Sequence, residues 1–112
     1  MYFLIPLIAL GYLIIDYFTT MRISSAAKEL IKKKEGFSPV PYPDAHGFSI
    51  GYGHFLGTDK SKIIGLNWSE QYASDKFDQR IKKDEIYVRS LLIPSSSISQ
   101  GFFDCLVDLA YN

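Results

Sequence analysis

Within twenty residues, "EGFSPVPYPDAHGFSIGYGH" gathers two carboxylates, Glu35 and Asp44, a hydroxyl at Ser49, and two histidines among glycines and prolines. One acid to protonate a leaving oxygen and one carboxylate to activate water are the groups that glycoside hydrolysis requires. "FSIGYGHF" alternates in the strand period, with Phe48, Ile50 and Tyr52 on one face and Ser49, Gly51 and Gly53 on the other. The second face carries almost no side-chain bulk, so a flat polymer could approach its backbone with the Ser49 hydroxyl in the same space. Gly51, Tyr52, Gly53 and His54 are the candidate substrate-binding positions along it. His46 reads as a turn residue. A metal reading of Asp44, His46 and His54 has three ligand types but no recognised spacing, and His54 reads better as an orienting hydrogen-bond partner near the acid.

Glu35 needs a rigid support, and "SSAAKELIKKKEGF" supplies one. Ser24 or Ser25 caps a helix, Ala27, Leu30 and Ile31 form its apolar stripe, and Gly36 ends it just after Glu35. The glutamate then stands at the margin of the buried stripe and at the negative end of the helix dipole, where both effects favour a proton donor. The competing reading is an exposed acid among Lys32, Lys33 and Lys34, which favour its charged form. The three prolines of "PVPYPDAHG" and its Asp-x-x-Gly turn, on which Asp44 lies, lead into a small hairpin sheet. Farther on, "LNWSEQYASDKFDQRIKKDEIYVRSLLIP" predicts a long amphipathic helix. It has a capping box from Asn67 to Glu70, a stripe through Ala73, Phe77, Ile81, Val88 and Leu91, and a stop at Pro94. A last helix is expected in "ISQGFFDCLVDLAYN", with Cys105 as a buried structural thiol.

Three segments, "ELIKKKEGF", "PYPD" and "GFSIGYGH", resemble the catalytic signature of phage-type lysozymes, glycoside hydrolase family 24, and "GFFDCLVDLAYN" resembles a later core helix of that family. The resemblance covers residues 23 to 112 and is strongest over 29 to 54. It implies an α+β, lysozyme-like fold, mainly helical with a small antiparallel β-hairpin sheet. It also implies Glu35 as general acid, Asp44 as the carboxylate that activates water, and Ser49 in the place of the family's threonine. The implied reaction is inverting hydrolysis of the β-1,4 bond between N-acetylmuramic acid and N-acetylglucosamine in peptidoglycan, with no cofactor and no metal. The family pattern continues with helices of a second lobe, whereas this sequence stops at Asn112 in a helical pattern, so an incomplete lobe with Phe102, Phe103, Leu106 and Val107 uncovered is expected. The alternative class is a membrane-tethered glycan-binding or structural module that keeps the cleft without its turnover.

The remaining composition sets the partners. Lys and Arg together equal Asp and Glu at 12 each, so no global field draws the chain to nucleic acid. No Gly-rich phosphate loop or nucleophile elbow is present. "YFLIPLIALGYLIIDYF", residues 2–18, is apolar or aromatic except at Pro6, Gly11 and Asp16, and as a helix it would reach about 25 Å, near the lower limit for a span. No Lys or Arg precedes Arg22, so an uncleaved anchor fits better than a cleaved signal. The expected organisation is therefore an N-terminal hydrophobic helix over 1–21 as membrane anchor and a lysozyme-like catalytic domain over 22–112. The cationic residues that follow the run favour a cytoplasmic position for the domain, while the implied substrate places it in the periplasm or outside the cell, or on a virion.

Overall fold

The computed structural model describes residues 21–92 and 97–112. They form two compact units, one of Ser25–Ile81 and one of the described residues up to Ser24 together with Lys82–Asn112.

The first unit opens with helix α1, Ser25–Glu35. Its alanines, lysines and glutamates are strong helix formers. Gly36, at φ 72°, ends it by returning its N–H to the Lys32 carbonyl at 2.9 Å, the left-handed stop that glycine makes without strain. A three-stranded antiparallel sheet follows: β1 Ser38–Asp44, β2 Gly47–Gly51 and β3 His54–Gly57, in that spatial order. The proline-rich segment, read from sequence as leading through a turn into the hairpin, is thus itself a strand. It is tolerated because β1 lies at the edge, where a proline without an N–H leaves no ladder bond unmade, and the pairing slips between Ser38 and Tyr42. The single strand expected through Tyr52 breaks at Gly51 and Gly53, at φ 66° and 78°, which reverse the chain into β3.

A short 3₁₀ turn at Lys60–Lys62 leads towards helix α2, Glu70–Leu91, which runs on past the end of this unit. Its cap is Ser69, whose Oγ accepts the Tyr72 N–H at 3.1 Å, and not the expected Asn67. Trp68 donates its N–H to the Pro39 carbonyl at 2.8 Å, which ties the segment before the helix to β1. Ile31, Ile50, Tyr52, Ala73, Phe77 and Ile81 make the core of the unit, while Leu30, assigned to the stripe from sequence, points to solvent. Lys32 bridges α1 and α2, with Nζ 2.7 Å from Ser74 Oγ and 5.2 Å from the ring centres of both Tyr52 and Phe77.

In the second unit, helix α3, Gln100–Tyr111, is capped by Ser99, whose side chain accepts the Phe102 N–H. Phe103, Val107 and Tyr111, one stripe at four-residue spacing, are buried with Met21, Ile23 and Val88. Phe103 and Val107, expected to be uncovered, are therefore core residues, whereas Phe102 is more than half exposed. Leu91 also faces outwards, and Cys105 lies on the exposed side of α3 instead of in the core. The extended segment before α1 is held residue by residue. Arg89 donates to the Met21 carbonyl at 2.6 Å, Gln100 to the Arg22 carbonyl at 2.7 Å, and the nearly buried Glu85 accepts the Ile23 N–H at 2.8 Å. Asp104 takes both the N–H and the hydroxyl of Ser24.

Among the described residues no helix is long and apolar enough to cross a membrane. The hydrophobic helix expected over 1–21 falls, apart from Met21, outside the described residues, as does the stop expected at Pro94.

Candidate active site

Every sequence-predicted site residue lies in the first unit. Antiparallel pairing sets Tyr42 opposite Ser49 and Asp44 opposite Gly47, so these four positions share one face of the β1–β2 ladder. Ser49 is 2 % exposed and donates its hydroxyl hydrogen bond to Asp44 Oδ2. The His46 N–H donates to Asp44 Oδ1 at 2.9 Å, closing an Asx turn between β1 and β2. Asp44 is itself exposed, and the Ser49 hydroxyl first, then the His46 N–H, hold its carboxyl below the usual aspartate range. Donors on one side keep this carboxylate ionised, and its open side can accept a hydrogen bond from water.

Glu35 arrives from the end of α1. Its carboxylate lies where the side chain of Gly53 would be: a Cβ built on Gly53 would stand 2.7 Å from Glu35 Oε2 and 3.3 Å from its carboxyl carbon. The glycine at the β2–β3 turn is thus explained by the close approach of an acid to the backbone. Among the described residues, no hydrogen bond is donated to the Glu35 carboxylate.

Tyr42 was not singled out from sequence. Burial raises the pKa of its phenol, and the charges of Glu35 and then Asp44 raise it further, so both carboxylates act on this one ring. Its signal was present in "YPD": two positions before Asp44 on one strand means the same face. It went unread because a proline-rich stretch does not read as a strand.

The four expected substrate-binding positions have different fates. Gly53 faces Glu35 as described. Gly51 is buried, and a Cβ there would press on Trp68 and Ala73 at 3.1 Å, so packing accounts for that glycine. Tyr52 is turned into the core, 8 % exposed, with its hydroxyl donating to Glu70 Oε1 at 2.9 Å. The His54 ring lies against Trp68 at 5.2 Å, on the sheet face opposite to Ser49, since it pairs with Ile50. His46 is an exposed turn residue.

A helix-borne acid and a strand-borne carboxylate with a buried hydroxyl, set around one small sheet, define a lysozyme-like site. The phage lysozyme family profile matches residues 32–112, and the chain belongs to that family. It is similar to the peptidoglycan hydrolase gp36 of Enterobacteria phage SP6, 29 % identical over 87 residues, which cover 65 % of this chain and 9 % of that protein. A crystal structure of a P22 lysozyme mutant superposes with a TM-score of 0.63 at 25 % identity, over 83 % of this chain and 64 % of that one. The chain thus spans less than two thirds of the length of either relative.

Proposed function

We propose that the protein is a muramidase that cleaves the β-1,4 bond between N-acetylmuramic acid and N-acetylglucosamine in bacterial peptidoglycan. The observation that carries this reading is the pair of unlike carboxylates: Glu35 over Gly53, with no donor among the described residues, and Asp44 tied by Ser49 and His46, with Tyr42 under the charge of both. In this scheme Glu35 protonates the leaving glycosidic oxygen. Asp44, with the Ser49 hydroxyl beside it, orients a water on the other side of the sugar and accepts its proton as the water attacks the anomeric carbon. The products carry inverted anomeric configuration, with no covalent intermediate. Gly53 serves by admitting the acid, Gly51 and Tyr52 by fixing the turn against α2, and His54 by packing on Trp68. Residues 2–18 act as a membrane anchor, with the domain on the side of the membrane where peptidoglycan lies; a reporter fused after residue 40 should be active only when exported.

Purified peptidoglycan tests the scheme. Glu35→Gln keeps the shape of the side chain but removes the transferable proton, and should lower kcat by about a hundredfold or more with an unchanged circular-dichroism spectrum. Asp44→Asn should lower it less, since an amide still positions water. NMR of a fresh digest should show the inverted anomer before mutarotation. Undiminished lysis by Glu35→Gln would overturn the assignment.

A further inference from the structure

The site face extends one strand beyond the residues assigned so far. In the β2–β3 ladder Ser49 pairs with Phe55, so Tyr42, Ser49 and Phe55 form one row across the three strands on the same face. A second observation fixes where the ring goes. A Cβ built on Gly47 would come within 3.2 Å of Phe55 Cε2 and would also run into the Gly57 carbonyl. The Phe55 ring therefore lies over Gly47, which is the cross-strand partner of Asp44. It does so while 50 % exposed. Large apolar side chains on the inner face of this sheet behave differently: Ile50 is fully buried. Phe55 thus rests on a glycine and presents the rest of its ring to solvent, beside the carboxylate that activates water.

Such a ring has a chemical counterpart in the substrate. An aromatic face carries negative quadrupole density, and the C–H bonds on one face of a β-pyranose are its natural partners, in weak C–H···π contacts added to the burial of apolar surface. We propose that Phe55 is a sugar-stacking residue, taking the C–H face of a pyranose in the glycan held over Asp44 and Ser49. This rests on the muramidase reading. It adds a positioning contact that neither acid provides, because a carboxylate grips oxygen atoms and leaves the ring free to tilt. Gly47 supports the same arrangement: the Gly57 carbonyl, into which a Cβ built there would run, keeps the position bare, and the Phe55 ring occupies the space beside it.

The test separates binding from turnover. In the full chain carrying Glu35→Gln, soluble glycan strands prepared from peptidoglycan are titrated by calorimetry, with and without Phe55→Ala. The stacking contact predicts about tenfold weaker binding, the equivalent of about 1.4 kcal/mol. In the active chain, Phe55→Ala should raise KM severalfold with little change in kcat, the signature of binding shared by ground and transition states. Phe55→Tyr and Phe55→Trp should restore the wild-type values, and Phe55→Leu, apolar but without an aromatic face, should not. A purely structural role for Phe55 would instead show as loss of the folded circular-dichroism signal in the alanine variant and rescue by leucine, and that pattern overturns the proposal. So does glycan binding that is the same with and without Phe55→Ala, or no glycan binding by Glu35→Gln alone. Absence of turnover in the wild type overturns the muramidase reading separately, since the calorimetric comparison needs no catalysis.

Discussion

The end of α1 and the β1–β2 turn each carry one carboxylate of the site, and they hold it in opposite ways. At the turn, Asp44 receives the Ser49 hydroxyl and the His46 N–H, and its proton affinity falls. At the helix end, among the described residues, no donor reaches Glu35, and its carboxylate stands over a glycine. Donors keep a carboxylate charged; admission without donors leaves its oxygens for another partner. The difference teaches that one small unit gives two similar side chains two unlike surroundings, which is what the proposed division of labour requires.

The contrast is most sharply broken at Gly53. Gly53→Ala should cost about a hundredfold in kcat, because its Cβ displaces the Glu35 carboxylate and a shift of about 1 Å in a reacting group has that consequence. The φ of 78° adds about 1–2 kcal/mol of backbone strain, so thermal denaturation should also occur at lower temperature. Wild-type turnover in this variant would show that Glu35 does not act from over the glycine. Ser49→Ala acts on the other carboxylate and should lower turnover at neutral pH by about tenfold. Its pH profile is the sharper reading. Asp44 must be ionised to take a proton, so activity rises with pH through its pKa. Without the serine hydroxyl that pKa moves up, and the acid limb of kcat/KM should move to higher pH. An unmoved limb would separate Asp44 from the water-activating step. Ser49→Thr keeps the hydroxyl and should leave the limb in place. The smallest effect is expected where α1 meets α2. Lys28 and Asp78, 3.3 Å apart with side chains 35 % and 44 % exposed, form a solvent-screened pair, and Asp78→Ala should change unfolding stability by less than about 0.5 kcal/mol in urea titration.

The parts of this arrangement that were legible in the sequence are those written in local pattern. The run from Ser25 to Glu35 with its glycine stop, the alternation around Ser49 and the stripes of α2 and α3 all follow from periodicity and caps. What the sequence hid depends on contacts between distant segments. Strand β1 was obscured by its prolines, which only an edge position makes acceptable, and with it went Tyr42. The helix start at Ser69, which caps it through the Tyr72 N–H, and the tie of Trp68 to Pro39 both depend on which of several capping residues the folded chain uses. The glycines of "GYG" look alike in sequence, yet Gly51 makes room for Trp68 and Ala73, and Gly53 for Glu35. Leu30 and Leu91 satisfy the helical period but lie at the edges of their stripes and stay in solvent.

The four residues before α1 also determine how the domain would respond to force. Met21, Arg22, Ile23 and Ser24 are each hydrogen-bonded through the backbone to a different side chain, Arg89, Gln100, Glu85 and Asp104, all on α2 or α3. A pull on the chain ahead of Met21 then meets four successive backbone attachments to α2 and α3. Those attachments precede Ser25 in the chain, so each must give way before a tug can unravel the helix that ends in Glu35 from its leading end.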